Sequence, residues 1–503
     1  MQPETAPLAG PKQWLGLVIL VLPSLLLFMM LTVLFLAAPF ISADLAPSPS
    51  EMLWILDIYG FVMAGLLVAM GVMADRYGAR NLLMIGAAAF ALASIGAAYS
   101  PNAGTMIAWR ALLGVAAAMQ MPATLGLIFA TFHDPRQRGV AIGVWAASIS
   151  AGVAIGPLVS GLLLEAFGWQ ATFLIAAPVM TLVVIGAPLL LPGGRNPAGG
   201  RLDILSVGML LLSLFPIIYG IKQLSAESGP VVGLASIAVG LVVGTLFVVR
   251  QLRSTSPLLD VRLFANGRVS AALAVFVLSA AALGGFYFMF AQHLQLVAGL
   301  TPLNAGLAIL PGALLLVLVA MTSPIIARRV SPGLVIAFGL LVQVVGYGLF
   351  AFVDATTAVP VLILSFMVLY PAVAPSMALT TDLVVGSVPP ERAAAASGLA
   401  TTANDLGISL GIAVVGAFGL AAYRGALPAE VLSGVSPEAA SQAASGLAGA
   451  ISAAETMTGE AGAVLATAAR DAFASGLNLV AMVAAAIALL AAAISLFRLR
   501  RPA

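Results

Sequence analysis

Acidic side chains inside apolar runs are the residues of this chain with the most chemistry to offer. Asp57, Asp382 and Asp405 each sit in a stretch built mainly of Ala, Leu, Val, Ile and Gly. Burial raises the pKa of a carboxyl group and a nearby cation lowers it, so one such group can hold a proton at one moment and a cation at the next. Asp405 lies about 14 residues into its run, ~20 Å deep at 1.5 Å per residue, near the middle. Asp57 is about 8 Å below the nearer end of its run. It reads equally as a titrating group or as a wetted vestibule residue. Asp382 falls near the end of its run and reads as structural. Arg110 opens the stretch Arg110-Ala111-Leu112-Leu113-Gly114-Val115. A guanidinium at membrane depth costs several kcal/mol unless it is paired or hydrated, so it should face the interior of a helix bundle. A purely structural role, hydrogen bonding to carbonyls of the first helix, is one reading of it. Phe286, Tyr287, Phe288 and Phe290 crowd one run beside His293. Their faces would suit flat apolar or cationic molecules, although ordinary packing accounts for most of them.

These residues need elements that can hold them in an apolar medium. The chain has 503 residues, 62% of them hydrophobic and 8% charged. A soluble domain carries roughly 25% charged residues, so this chain cannot cover a water-facing surface and must span a membrane. Fifty-one glycines suit close helix–helix approach in lipid. The absence of cysteine excludes disulfides and thiol chemistry, and two histidines, His133 and His293, make no metal site. No cleavable signal peptide is evident. The run from about Trp14 to Ile41 exceeds the ~7–15 residues of a signal h-region and reads as a spanning helix.

A spanning helix needs about 20 apolar residues. About fourteen such runs appear: 13–42, 52–74, 81–99, 105–131, 138–165, 168–191, 204–224, 231–252, 267–298, 303–328, 332–354, 357–386, 391–424 and 476–499. An even number puts both termini on one side. Lys12, Arg76, Arg80, Arg136, Arg138, Arg195, Arg201, Arg250, Arg253, Arg262, Arg268, Arg328, Arg329, Arg392, Arg498, Arg500 and Arg501 fall on that side, against Lys222, Arg424 and Arg470 on the other. The positive-inside rule makes the first side, with both termini, cytoplasmic. The polar segment 424–475 falls outside. It reads either as a lid of two short helices, Ser436 to Ala450 and Glu460 to Ala474, or as a disordered loop.

Gly71-Val72-Met73-Ala74-Asp75-Arg76-Tyr77-Gly78-Ala79-Arg80 joins the second and third runs. It closely resembles the loop signature of the major facilitator superfamily, G-x-L-x-D-R-x-G-R-[KR], departing at Met73 and Ala79. Gly152-Val153-Ala154-Ile155-Gly156-Pro157-Leu158-Val159-Ser160-Gly161 resembles the G-x-x-x-G-P-x-x-G-G signature of the family's exporters, with Ser160 in place of a glycine. Glycines four apart make a flat packing face, and Pro157 should bend the helix. Leu53-Trp54-Ile55-Leu56-Asp57-Ile58-Tyr59, Pro257-Leu258-Leu259-Asp260-Val261-Arg262-Leu263-Phe264, His293-Leu294-Gln295-Leu296-Val297 and Gly299-Leu300-Thr301-Pro302-Leu303-Asn304-Ala305-Gly306 complete the likeness. Together they resemble the fourteen-helix drug:proton antiporters, the multidrug and quaternary ammonium exporters, over nearly the whole chain. A duplicated transporter of this kind leaves a weak internal echo, here Arg328-Arg329 in the place of Asp75–Arg80.

The resemblance implies an all-α integral membrane protein of the major facilitator fold, with two six-helix bundles plus two inserted helices. Residues 1–12 would be a cytoplasmic tail, 13–191 the first bundle, 192–266 the inserted pair, and 267–503 the second bundle with the outer loop 424–475. It places proton coupling on Asp405, Asp57 and Arg110. The expected substrate cavity holds Met30, Thr32, Trp54, Tyr59, Phe286, Tyr287 and Phe290. The expected conformational switch comprises Gly71, Asp75, Arg76, Gly78, Arg80, Gly152, Gly156 and Pro157. Two family acids are missing. Met30 stands where the first helix usually has an Asp, and Thr401 where the thirteenth run has another. A cavity with fewer negative charges and a flexible thioether favours neutral or singly charged substrates.

The expectation is a proton-coupled exporter of lipophilic drugs or metabolites, a monomer in the cell's inner or plasma membrane. The proton gradient would replace any cofactor. Small lipophilic molecules, protons and the bilayer are its expected partners, with no nucleic acid. The alternative is an exporter of an endogenous antibiotic, peptide or lipid. A membrane enzyme or sensor has no support in the sequence, and no G-x-x-x-x-G-K-[ST] loop points to ATP.

Overall fold

The computed structural model describes residues 8–194, 203–224, 230–254, 261–386, 393–457 and 460–499. Every regular element among them is helical, as the bilayer requires of a chain that must satisfy its backbone groups within each segment. Thirteen helical stretches are long and apolar enough to span a membrane. The expected run 204–224 forms one further helix of 21 residues, built mainly of Leu, Ile, Val and Met.

The first seven helices pack together: α1 (Pro11–Leu45), α2 (Pro49–Tyr77), α3 (Ala79–Ala98), α4 (Ala103–Thr131), α5 (Pro135–Phe167), α6 (Trp169–Leu174) and α7 (Ala176–Leu190). Ser48 caps α2 and Asp134 caps α5, each accepting hydrogen bonds from first-turn amides, and a proline follows each cap. Helices α8 (Ile204–Leu224) and α9 (Pro230–Arg253) form an antiparallel hairpin. Gly220 lies against Gly233 and Ile237 at one end, and Gly240 against Ser213 and Ile217 further along. α8 also packs on α2 and on α15 (Ala393–Ala426).

The second group comprises α10 (Gly267–Gln292), α11 (Pro302–Ala327), α12 (Pro332–Phe350), α13 (Val359–Leu369), α14 (Ala374–Val385), α15 and α19 (Glu460–Ile494). A 3-10 turn at Pro371–Val373 breaks the span between α13 and α14. Short helices α16 (Ala429–Ser433), α17 (Pro437–Ser445) and α18 (Leu447–Thr456) lie between α15 and α19. The lid reading of 424–475 therefore fits the described residues, with two differences. The stretch 436–450 is divided at Gly446, φ +150°, between α17 and α18. The stretch 460–474 is not a separate helix but the first turns of the 35-residue α19. Its Leu465, Ala469, Ala472 and Phe473 are buried at helical spacing, so the Ala-rich sequence extends the last span outward instead of breaking.

Two faces are thus defined. The terminal face holds the Ala9 N–H donating to Gln137 (2.7 Å) and Ser495 donating to the Gly333 carbonyl (2.8 Å). The hairpin face holds α16–α18. Two of the three cations expected on that side have structural roles. Arg424 donates to the Ala444 carbonyl (2.8 Å), and Arg470 donates to the Leu296 carbonyl (3.0 Å). Pro257 to Asp260, Arg195, Arg201, Arg392, Arg500 and Arg501 lie outside the described residues, as does the Lys222 side chain.

Candidate functional site

A cavity of about 130 Å³ lies between the two helix groups. Its wall takes Phe28, Leu31, Thr32 and Phe35 from α1, a face spaced i, i+3, i+4, i+7. α2 gives Asp57, α5 gives Ile149 and Val153, and α10 gives Phe276, Ser279, Leu283 and Tyr287. Tyr370, Met377, Asn404 and Ile408 close the opposite side. The wall is therefore apolar and aromatic, with few polar groups. Tyr287 packs edge-on to Phe35 at 5.1 Å, and its ring lies 5.7 Å from that of Tyr370. Its hydroxyl has no hydrogen-bond partner among the described residues.

Thr32, Asp57 and Tyr287 are thus brought together, and the other expected cavity residues are not. Met30 is completely buried in the packed core, roughly 150° around α1 from the cavity face at 100° per residue. The expectation that it fronts the cavity is corrected by that register. Phe286 and Phe290 are likewise corrected. They point into the second group, where Phe286 meets Phe350 at 4.8 Å and Phe290 stacks on Phe366 at 4.7 Å. Tyr59 donates to the Leu27 carbonyl at 3.0 Å. Trp54 lies parallel to Phe215 of α8 at 6.4 Å. Phe28, Phe35, Ser279, Tyr370 and Asn404 were missed. Helical periodicity from Thr32 points to Phe28 and Phe35, and Asn404 directly precedes the singled-out Asp405.

Arg110 is fully buried. Its Nε donates to the Ile55 carbonyl (2.9 Å) and its Nη2 to the Leu56 carbonyl (3.0 Å), both on α2. Its guanidinium carbon sits 4.9 Å from the Tyr59 ring centre. Asp57, the next residue, is close enough to attract it electrostatically. The carbonyl-bonding role therefore holds, but toward the second helix rather than the first, and within reach of the cavity carboxylate. Asp405 lies on α15 beside Asn404, and Asp75 on the last turns of α2; the side chains of both are outside the described residues. Asp382 is exposed toward the end of α14, away from the cavity.

The loop signature forms a turn at the terminal face. Gly78 adopts φ +91°, a left-handed backbone that glycine alone enters without strain, and so ends α2 and starts α3 within one residue. Arg80 donates to the Leu191 carbonyl at 3.2 Å, fastening this turn to the end of α7. Arg76 lies over the Tyr77 ring at 5.6 Å. Gly71 is not tightly approached: a Cβ there would stand 3.8 Å from Pro122.

The second signature presents two small faces. Gly152, Gly156 and Ser160 face α1: Gly152 lies against the Leu25 carbonyl and Gly156 against Thr32, while Ser160 donates to the Val33 carbonyl at 2.9 Å. Pro157 and Gly161 face α11. A Cβ on Gly161 would stand 2.5 Å from the Pro302 oxygen, and one on Gly306 2.6 Å from the Pro157 oxygen. Pro157 lies within a helix that runs on to Phe167. Near the terminal face the same helix is exposed at Gly139, Val140, Gly143 and Val144, and a Cβ on either glycine would meet nothing within 4 Å. Along α5 the two helix groups are locked toward the hairpin face and parted toward the terminal face.

The profile of the Major Facilitator Superfamily matches residues 20–412. The chain is 40% identical over 483 residues to the multidrug efflux pump LfrA of Mycolicibacterium smegmatis, covering 96% of this chain and 95% of that protein. It is 31% identical over 473 residues to the tetracenomycin C resistance and export protein of Streptomyces glaucescens, covering 93% and 88%. Its fold resembles that of a bacterial homologue of the human lysosomal transporter Spinster, solved inward-facing and unoccupied. The TM-score is 0.69 at 17% identity, over 98% of this chain and 100% of that one. The chain belongs to the Major Facilitator Superfamily and is a membrane transporter, not an enzyme.

Proposed function

We propose that the chain exports lipophilic small molecules in exchange for protons, by alternating access of the seam cavity. The observation that supports this best is the cavity's composition. An apolar, aromatic wall shared by both helix groups holds the carboxylate of Asp57, with the Arg110 guanidinium behind it. Such a wall suits a hydrophobic substrate, and a carboxylate there can alternate between proton and cation. Asp405, next to the cavity residue Asn404, is the proposed main proton carrier and Asp57 the second. Residues 13–191 and 267–503 are the proposed moving halves, with 192–266 inserted between them. The Lys and Arg bias puts the terminal face, with both termini, in the cytoplasm, so the arrangement described above is open inward. The relatives' roles, multidrug efflux and tetracenomycin C export, agree with this direction. The test is dye movement in proteoliposomes under an imposed proton gradient. Wild type should move dye only with the gradient, and Asp405→Asn should stop gradient-driven movement while leaving folding intact. Full proton-coupled export by Asp405→Asn would refute its assignment.

A further inference from the structure

On the hairpin face a second cavity of about 620 Å³ opens between the α1–α2 turn, α10, α15 and the α17–α18 hairpin. A thin apolar septum separates it from the central one. Phe35 borders the central cavity and Phe288 the upper one, and their ring centroids lie 6.4 Å apart. Leu53 completes the septum beside Gly416, where a Cβ would stand 3.7 Å from Leu53 and 4.0 Å from Phe288. Each of α1, α2, α10 and α15 contributes one residue to it.

The upper cavity is built differently from the lower one. Its volume falls in the ~300–1,000 Å³ range of small-molecule sites, whereas the central cavity measures about 130 Å³. Glu51 is the one Asp or Glu on its wall, and no Lys or Arg borders it among the described residues. Ser48 donates its backbone N–H (2.9 Å) and its hydroxyl (2.7 Å) to Glu51 Oε2, which fixes the carboxylate at the cavity edge. Met52, Met289, Phe288 and Phe473 supply soft and aromatic surface. A single anionic group on a wall of thioethers and aromatic rings fits an amphiphilic organic monocation. The hairpin that roofs the cavity is tied down by Tyr423, which donates to the Ala443 carbonyl at 2.9 Å, and by Arg424 on Ala444.

We propose that the upper cavity is a second binding site, for an amphiphilic organic monocation, occupied by the exported molecule after it passes the septum. This inference rests on the export reading above. The test is ethidium titration, read by fluorescence, of the full chain in nanodiscs. Two binding components are expected. Glu51→Gln should weaken one of them about tenfold, the scale of a single screened charge contact, and leave the other in place. Because Glu51 also caps α2, Ala448→Trp provides an independent probe: it fills the cavity from the hairpin and should remove the same component. A single component, unchanged by both substitutions, overturns the proposal. If wild type shows both components but moves no ethidium along a proton gradient, the export reading falls while the upper site stands.

Discussion

At the scale of residues, neighbours one position apart do unrelated work because a helix turns each by about 100°. Tyr287 faces the cavity while Phe286 packs in the core, and Thr32 faces it while Met30 does not. Two predictions follow from that register. Phe286→Ala should cost about 3–5 kcal/mol through loss of a buried ring and the cavity left behind. Tyr287→Phe removes a hydroxyl that has no partner among the described residues, so its stability should change by less than about 1 kcal/mol. Thermal unfolding of the purified variants reads both; equal losses would put the two rings in equivalent environments. Met30→Asp places a carboxylate in a packed apolar site without a designed partner. It should lower the yield of folded protein and leave the ratio of cation to neutral-dye affinity unchanged. A folded Met30→Asp protein with a raised ratio would place residue 30 at the substrate after all. The identity of Met30 as a departure from the family was legible in the sequence. Its direction was not, because the period of α1 has no polar stripe to fix which face looks inward.

Elements carry the next level. α5 works as a spacer with one small face for α1 and another for α11, and the sequence signature showed the spacing but not that two partners share it. The Gly161 clash would be with backbone atoms, which cannot rotate away. Gly161→Val should therefore force α5 and α11 apart at the hairpin face and favour the opposite arrangement of the halves. Maleimide labelling of Leu53→Cys from the hairpin side should accelerate in that background; an unchanged rate would mean that the seam absorbs the extra volume without moving. The α8–α9 hairpin has its own fastening at the terminal face. Arg250 meets Asp203 at 3.0 Å, and Ser206 donates to the same carboxylate at 2.6 Å. Burial opposes ionisation of Asp203, but the hydrogen bonds from Ser206 and Arg250 outweigh it and hold its carboxyl below the usual carboxylate range. A depressed carboxyl stabilises the folded form above its ordinary pKa and loses that contribution as pH falls through the lowered value. Acidification below the usual carboxylate range should release α8 from α9 at this end. The effect should be small, because the pair is largely solvated, and absent in Asp203→Asn. Amide exchange near residue 206 compared at two pH values distinguishes these outcomes.

At the scale of the whole molecule, the fold was largely legible. Apolar length, charge asymmetry and the two signatures point to the right architecture, because the bilayer leaves few alternatives to bundled helices. The site was legible in part. Acids and aromatics announce themselves by type, but which of them meet depends on helix rotation and on packing between distant segments, as the separation of Phe290 from Tyr287 shows. The lid stayed open between two readings because its Ala and Ser composition serves a helix or a loop equally well, and only docking on α15 and α19 decides. The locked hairpin-face seam makes a test of the entire cycle. A Cβ on Gly416 would stand 3.7 Å from Leu53, and the chain has no cysteine. That distance is to the tip of the Leu53 side chain, Cδ2, so a short bis-methanethiosulfonate reagent should bridge the two thiols of Leu53→Cys with Gly416→Cys. Export should stop, and reductant should restore it. Undiminished export by the fully cross-linked protein would mean that this seam need not open.

The fastening of the α17–α18 hairpin has an evolutionary consequence. Tyr423 and Arg424 grip it through carbonyl oxygens of Ala443 and Ala444, groups that every amino acid possesses. Selection on the hydrogen bonds themselves therefore falls on the two donors, while the buried Ala443 is constrained by its packing. The exposed positions of the hairpin can thus drift in sequence, and with them the roof of the upper cavity, while the buried Ala443, Leu447 and Ala450 stay fixed by packing.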